Sequence, residues 1–263
     1  MKLSDYIAQS LVRQGVRHVF MITGGGAMHL NDSLGHQPGL EIVFNHHEQA
    51  CAMAAECYSR ITGRIGVLNV TTGPGGINAL NGVFGAWTDS IPLLIISGQV
   101  KRETCLGTYH LSGLRQLGDQ ESDIVRMVQG ITKYAALVQD PASIRYHLEK
   151  AFHLARSGRP GPCWLDIPVD VQSSQVEPDG MSAFIAADQS GEISDSELTA
   201  LCGQVLARLQ DAARPVIMPG SGIRLAATAR VVMIVVPSTI AAVRISSNST
   251  FFKMNPGFTN IPS

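Results

Sequence analysis

The sequence predicts an α/β fold: a doubly wound, mostly parallel sheet with helices on both faces, followed by an incomplete second α/β domain. Three observations carry this. Candidate strands such as IGVLNVT (65–71) and PLLIISG (92–98) read as unbroken apolar runs, as strands do when both sheet faces are covered. Between them apolar residues recur at helical spacing, so the two element types alternate along the chain. Glycine-rich or acidic corners fall where strands turn into helices, the edge at which open α/β sheets bind ligands.

The elements follow in order. Leu3, Ile7 and Leu11 mark a first helix, HVFMI (18–22) a strand, and the helix after GGG runs through Leu34 with Gly35 placed to end it. LEIVFNHH (40–47) reads as a buried strand leading into a helix with Ala50, Met53, Ala54, Cys57 and Ile61 on its face. After the strand at 65–71 and a Gly/Pro loop, Ile77, Leu80, Phe84 and Trp87 share one helical face. A long polar connection (99–120) leads from the strand at 92–98 to a helix near 122–129 and to KYAALV (133–138). Asp140 and Pro141 suit the N-cap and first position of a helix through Ile144, Leu148, Phe152 and Ala155 that stops near Gly158. CWLDIP (163–168) closes the series, so residues 1–172 form the first domain. Residues 173–193 have little periodicity and read as a linker. Within 194–263, Ser194 and Glu197 form a capping-box pattern before a helix with Leu198, Leu201, Val205 and Leu209, and PVIMPG (215–220) and a Gly220-Ser221-Gly222 turn follow. No acidic residue occurs past Asp211, and the βα rhythm fades. From about Ala227 the tail is expected to be foreign to the fold, through truncation or a shifted reading frame.

Composition narrows the function. With 20 basic and 21 acidic residues, net charge −1, the chain lacks the basic excess of a nucleic-acid binder. Five cysteines without a C-x-x-C pair argue against a disulfide framework or zinc site and for reduced thiols in a cytoplasmic protein. The N-terminus reads as an amphipathic helix and not a signal peptide. The apolar stretch 231–243 is broken by Pro237 and falls short of the ~20 residues a membrane span takes.

Candidate chemistry lies at three corners: Gly24-Gly25-Gly26, Glu48, and Thr71 to Gly76 running on to Asn78. Each glycine corner alone reads more readily as a tight strand-to-helix turn, and Glu48 in a first helical turn, on position alone, as a carboxylate favoured by the macrodipole. Together they would line one crevice. A zinc-protease reading of HHEQAC fails because Cys51 stands where the second histidine would be, and neither glycine cluster fits a dinucleotide fingerprint. His46 and His47 read as packing or hydrogen-bonded histidines.

The stretch from Asn45 to Val100, with the Gly-Gly corner at 24–26, the Gln120-Glu121 pair and SGRPGPCWLDIPVDV (157–171), closely resembles the N-terminal, pyrimidine-binding domain of the acetolactate synthase-like thiamine-diphosphate enzymes. Glu48-Gln49, Gly73-Pro74-Gly75 with Asn78, Asp89-Ser90-Ile91-Pro92 and Gly158-Arg159-Pro160-Gly161-Pro162 occur in that family's order and spacing. The resemblance is dense to about residue 175 and thin through 215–226. It implies that Glu48 is catalytic: a glutamate there hydrogen-bonds a ring nitrogen of the cofactor's aminopyrimidine and shifts it to the imino tautomer, which a partly desolvated carboxyl can do. It implies that Thr72, Pro74 and Asn78 pack on or near the pyrimidine, that the Gly25 and Gly26 backbone approaches the cofactor, and that Gln120 reaches toward the substrate. Gly118-Asp119 stand where the synthases usually have Ala-Phe, which leaves acetolactate synthase specificity open.

The same resemblance sets what a partner must supply. Family members hold thiamine diphosphate through Mg²⁺ on a Gly-Asp-Gly motif in another domain, and no such motif occurs in this chain. No metal ligand is therefore assigned here. Flavin (FAD) binding depends on a complete middle domain and is not supported. The expected activity is that of a 2-oxo-acid decarboxylase or carboligase, incomplete as an isolated chain. The expected partners are a small 2-oxo acid and either further copies, as homodimer or tetramer, or a chain bearing the diphosphate domain, with no nucleic acid and no membrane. The alternatives are a noncatalytic oligomerisation subunit and a nucleotide-binding module.

Overall fold

The computed structural model describes residues 1–109, 113–186, 193–214 and 222, and the backbone of 232–236 and 239–243. The chain divides into two compact units, Met1–Ala186 and Ala187–Ser263.

In the first unit α1 (Leu3–Arg13), β1 (His18–Met21), α2 (Met28–His36), β2 (Glu41–Phe44), α3 (Glu48–Thr62), β3 (Gly66–Val70), α4 (Pro74–Thr88) and β4 (Leu93–Gln99) alternate. They are followed by α5 (Ile124–Val128), β5 (Tyr134–Leu137), α6 (Ile144–Arg156), β6 (Pro162–Pro168) and α7 (Val169–Gln172). The six strands form one sheet in the order β2-β1-β3-β4-β6-β5, every pairing parallel. The doubly wound α/β class read from the sequence is the fold observed.

Helices cover both faces because alternate residues of the central strands point to opposite sides. On one face Leu94, Ile96 and Leu165 pack with Leu3, Ile7 and Leu11 of α1 and with Ile144, Leu148 and Phe152 of α6. On the other, Leu93, Ile95 and Trp164 pack with Cys51, Ala52 and Ala55 of α3 and with Ala79, Val83 and Ala86 of α4. The faces of α1 and α6 are those the apolar spacing predicts. Asp140 caps as expected, its carboxylate accepting from Ala142 N, and Pro141 opens a short 3₁₀ turn ahead of α6.

Several expectations are corrected. β2, read as buried, is an edge strand with one neighbour, and Phe44 is 65 % exposed. α2 runs one residue past Gly35 to His36. The large apolar residues of α3 and α4 do not face the core: Met53, Ile61, Ile77, Phe84 and Trp87 are exposed, and alanines and glycines are buried in their place. The two helices approach so closely that a Cβ at Gly82 would stand 2.6 Å from Ala52 Cβ, which leaves no room for a larger side chain between them. The first part of the segment read as linker belongs to the first unit: Gln175 bridges to Lys2, Val176 N donates to Met1 O, and Val176 and Met181 are buried in the core.

In the second unit α8 (Asp195–Asp211) is capped by Ser194, whose Oγ accepts from Glu197 N at 3.2 Å. β7 (Val232–Val236) and β8 (Thr239–Val243) pair antiparallel. The strand expected at 215–220 and the tail beyond 243 lie outside the described residues.

Candidate functional site

Chain order sets the crevice. The path goes from β1 outward to β2 and then returns to β3 on the other side of β1, so winding reverses between β1 and β3. Beyond the carboxyl ends of the strands at such a reversal, ligands have a cleft. The corners after β1, β2 and β3 all lie at this edge.

The first and third corners are tied together. Gly25 and Gly26 open a 3₁₀ turn (Gly25–Ala27), Gly26 N donates to Thr71 Oγ1 at 3.0 Å, and Gly26 O accepts from Gln172 Nε2 at 2.7 Å. A side chain at Gly25 would meet nothing within 4 Å, so this backbone borders open space.

Glu48 is the first residue of α3 and is half-buried. The helix is capped by the ring of His47, whose Nδ1 accepts from Gln49 N at 3.1 Å. The Glu48 carboxylate reaches across to α4, where Oε2 accepts from Asn78 Nδ2 at 3.0 Å and Oε1 lies 3.5 Å from where a Cβ of Gly75 would be. Beneath it Cys51 is buried, and burial pushes its thiol pKa up.

The third corner carries a backbone that demands glycine. Gly73 has φ +58, and a Cβ there would stand 2.2 Å from Gln120 O. Pro74 follows as the first residue of α4, where a missing N–H costs nothing. Gln120 itself takes a left-handed conformation, φ +57, which is uncommon without glycine and is held only by surrounding contacts. Those contacts come from Glu121, whose carboxylate accepts from the backbone N–H of Leu106 at 2.5 Å, Leu117 at 3.1 Å and Gly118 at 3.0 Å. Thus Glu48 joins Asn78 and the Gly75 backbone, Gln120 lies on Gly73, and Gly26 meets the Thr71-Thr72 corner. Pro74 and Asn78 are exposed on the open side and Thr72 is buried beneath.

A buried polar chain lies under this corner, outside the motifs that mark the site in the sequence. Asp166 of β6 is fully buried; its Oδ1 accepts from Ser97 Oγ at 2.6 Å and its Oδ2 from Gln99 Nε2 at 2.8 Å. Trp164 Nε1 donates to Ser97 Oγ at 2.7 Å. Gln99 Nε2 also donates to Ser122 O at 2.9 Å, and Gln99 Oε1 accepts from Val100 N at 2.9 Å and Thr72 Oγ1 at 2.5 Å. Burial pushes the Asp166 carboxyl up to about 7 against the lowering effect of the Ser97 and Gln99 hydrogen bonds. The signal was present: Ser97, Gln99 and Asp166 are polar residues inside otherwise apolar strands, and a buried polar group without partners is costly. Among the described residues, no cluster of three or more His, Cys, Asp or Glu could hold a metal ion.

Fold and site together define a ligand-binding α/β domain whose carboxyl-end sheet edge carries one carboxylate, one amide and glycine-rich backbone. Residues 1–127 match the family described as thiamine pyrophosphate enzyme, N-terminal TPP binding domain, and the first unit of this chain belongs to that family. The chain is 36 % identical over 224 residues to acetolactate synthase 2, chloroplastic, of Zea mays, covering 84 % of this chain and 33 % of the relative. It is 35 % identical over 221 residues to acetolactate synthase 2, chloroplastic, of Nicotiana tabacum, covering 84 % and 32 %. To the acetolactate synthase large subunit of Buchnera aphidicola it is 37 % identical over 224 residues, covering 84 % and 37 %. The chain thus spans about a third of the length of the curated relatives it matches.

Proposed function

We propose that this chain supplies the pyrimidine-binding half of a thiamine-diphosphate site in a 2-oxo-acid decarboxylase or carboligase of acetolactate synthase type. The observation that carries the reading is the placement of the Glu48 carboxylate at the helix N-termini of α3 and α4, turned away from capping its own helix and held by Asn78. The donor set fits an aminopyrimidine: a carboxyl beside an amide, with exposed glycine backbone at Gly25 at the same sheet edge. Bound there, the cofactor would supply the carbanion chemistry at its own carbon. This chain's residues do the rest. Glu48 holds and exchanges a proton at a ring nitrogen, Asn78 fixes the carboxylate's orientation, and Thr72 and Pro74 shape the wall beneath the ring. Gln120 is presented toward the substrate side from its strained backbone.

Magnesium and the diphosphate would be held by a separate domain that bears the diphosphate-binding motif and packs against this one. The exposed apolar residues Met53, Ile77, Phe84 and Trp87 of the packed helices α3 and α4 support such a contact, because large apolar side chains left facing water gain by being covered. A homodimer, a tetramer or a partner chain bearing the diphosphate domain would each use it. The five free cysteines suit a reducing compartment, and we place the protein in the cytoplasm.

Calorimetric titration with thiamine diphosphate and Mg²⁺ tests this. The chain alone should bind weakly and its complex with a diphosphate-domain chain tightly. In that complex Glu48→Gln should cut turnover 100-fold or more, the order of a lost acid–base group, with the fold retained. Tight binding by the chain alone would contradict the half-site, and unchanged turnover would remove Glu48 from its role.

A further inference from the structure

We infer that Gln99 is a positioning residue: its side-chain amide, seated on Asp166, sets the Thr72-Gly73 corner and the Gln120 segment in register with each other. As a statement about residues of the candidate site, this rests on the function proposed above for Thr72 and Gln120.

The orientation of the amide is dictated by its neighbours. Val100 N–H can only donate, so the atom 2.9 Å from it must be Oε1; Ser122 O can only accept, so the atom 2.9 Å from it must be Nε2. Asp166 then takes the second Nε2 hydrogen at 2.8 Å, and Thr72 must donate its hydroxyl hydrogen to Oε1 at 2.5 Å. One side chain on β4 thereby grips two otherwise separate segments, the turn after β3 through Thr72 and the start of α5 through the Ser122 carbonyl. Between those grips lies the contact of Gly73 with Gln120 O. Gln99 is 3 % exposed, so water cannot replace a lost partner without rearrangement.

A second consequence is chemical. Because the Thr72 hydrogen is committed to Gln99, the Thr72 oxygen can only accept. Any group that reaches it from the cleft must be a donor, such as an amine or hydroxyl, and a carbonyl there is rejected.

Hydrogen–deuterium exchange on the whole chain without cofactor tests the inference. Gln99→Ala should speed exchange tenfold or more in peptides covering 71–78 and 113–123, with peptides covering α1 and β1 unchanged. Asp166→Ala should do the same, and Asp166→Asn, which keeps an acceptor for Nε2, should restore protection. Thr72→Val, close to Thr in shape, should release the 71–78 peptide alone and serves if Gln99→Ala does not fold. Unchanged exchange at 113–123 in Gln99→Ala, or an equal rise in every peptide, would overturn the assignment. Because this readout uses no cofactor, failure of thiamine diphosphate to bind would be seen separately and would count against the function proposed above.

Discussion

At the scale of single residues, Asp166 carries the clearest pH consequence. Its carboxyl is pushed from the ordinary 3.8 up to about 7 by burial, with Asp123 adding a smaller push in the same direction. The folded state therefore holds a proton between pH 4 and 7 that the unfolded state has released, so this group's contribution to stability is fully present below about pH 4 and is lost as pH rises through about 7. The full difference is on the order of 4 kcal/mol. Urea midpoints for wild type should fall between pH 5 and pH 8 more steeply than those of Asp166→Asn, which has no proton to lose. Parallel profiles would show that Asp166 stays ionised throughout. Glu48 was legible in the sequence because a strand-to-helix corner is visible as a change of period. What the sequence hid is that His47 caps the helix and leaves the Glu48 carboxylate to Asn78, a contact across thirty residues. Asp166 was hidden in its role for the same reason: its partners come from β4, and no local pattern reports them.

At the scale of elements, α3 and α4 depart most from their patterns. Periodicity located both helices, but the large apolar residues it marked point outward and small ones pack inward. Hydrophobic spacing identifies a face that avoids water, and it does not say whether the chain's own core or another surface covers it. Gly82 is the testable point, because a Cβ there would lie 2.6 Å from Ala52 Cβ and 2.8 Å from Met53 N. Gly82→Val should cost about 1–3 kcal/mol of folding stability through overpacking, measured by denaturant unfolding. A neutral result would mean that the helices can separate freely. β2 departs from its pattern for a related reason: an apolar run is compatible with either a central or an edge strand until the number of its neighbours is known.

At the scale of the whole molecule, the strand order β2-β1-β3-β4-β6-β5 brings residues from distant parts of the chain to one sheet edge. Sequence reading placed the corners in order, and the reversal between β1 and β3 explains why they converge. If the exposed face of α3 and α4 is an association surface, substituting a charge near its centre should weaken assembly. Phe84→Asp should raise the dissociation constant tenfold or more, as for buried aromatic anchors, read by sedimentation over a range of concentrations. Equal sedimentation of wild type and variant would point to another surface.

The α3–α4 contact has a last consequence. Methyl groups and bare backbone have no rotamers to exchange, so the spacing of the two helices is set at Gly82 and Ala52, while the outward side chains of Met53, Ile77, Phe84 and Trp87 keep rotamers of their own. A partner docking there would be accommodated by those rotamers and not by a change in helix spacing.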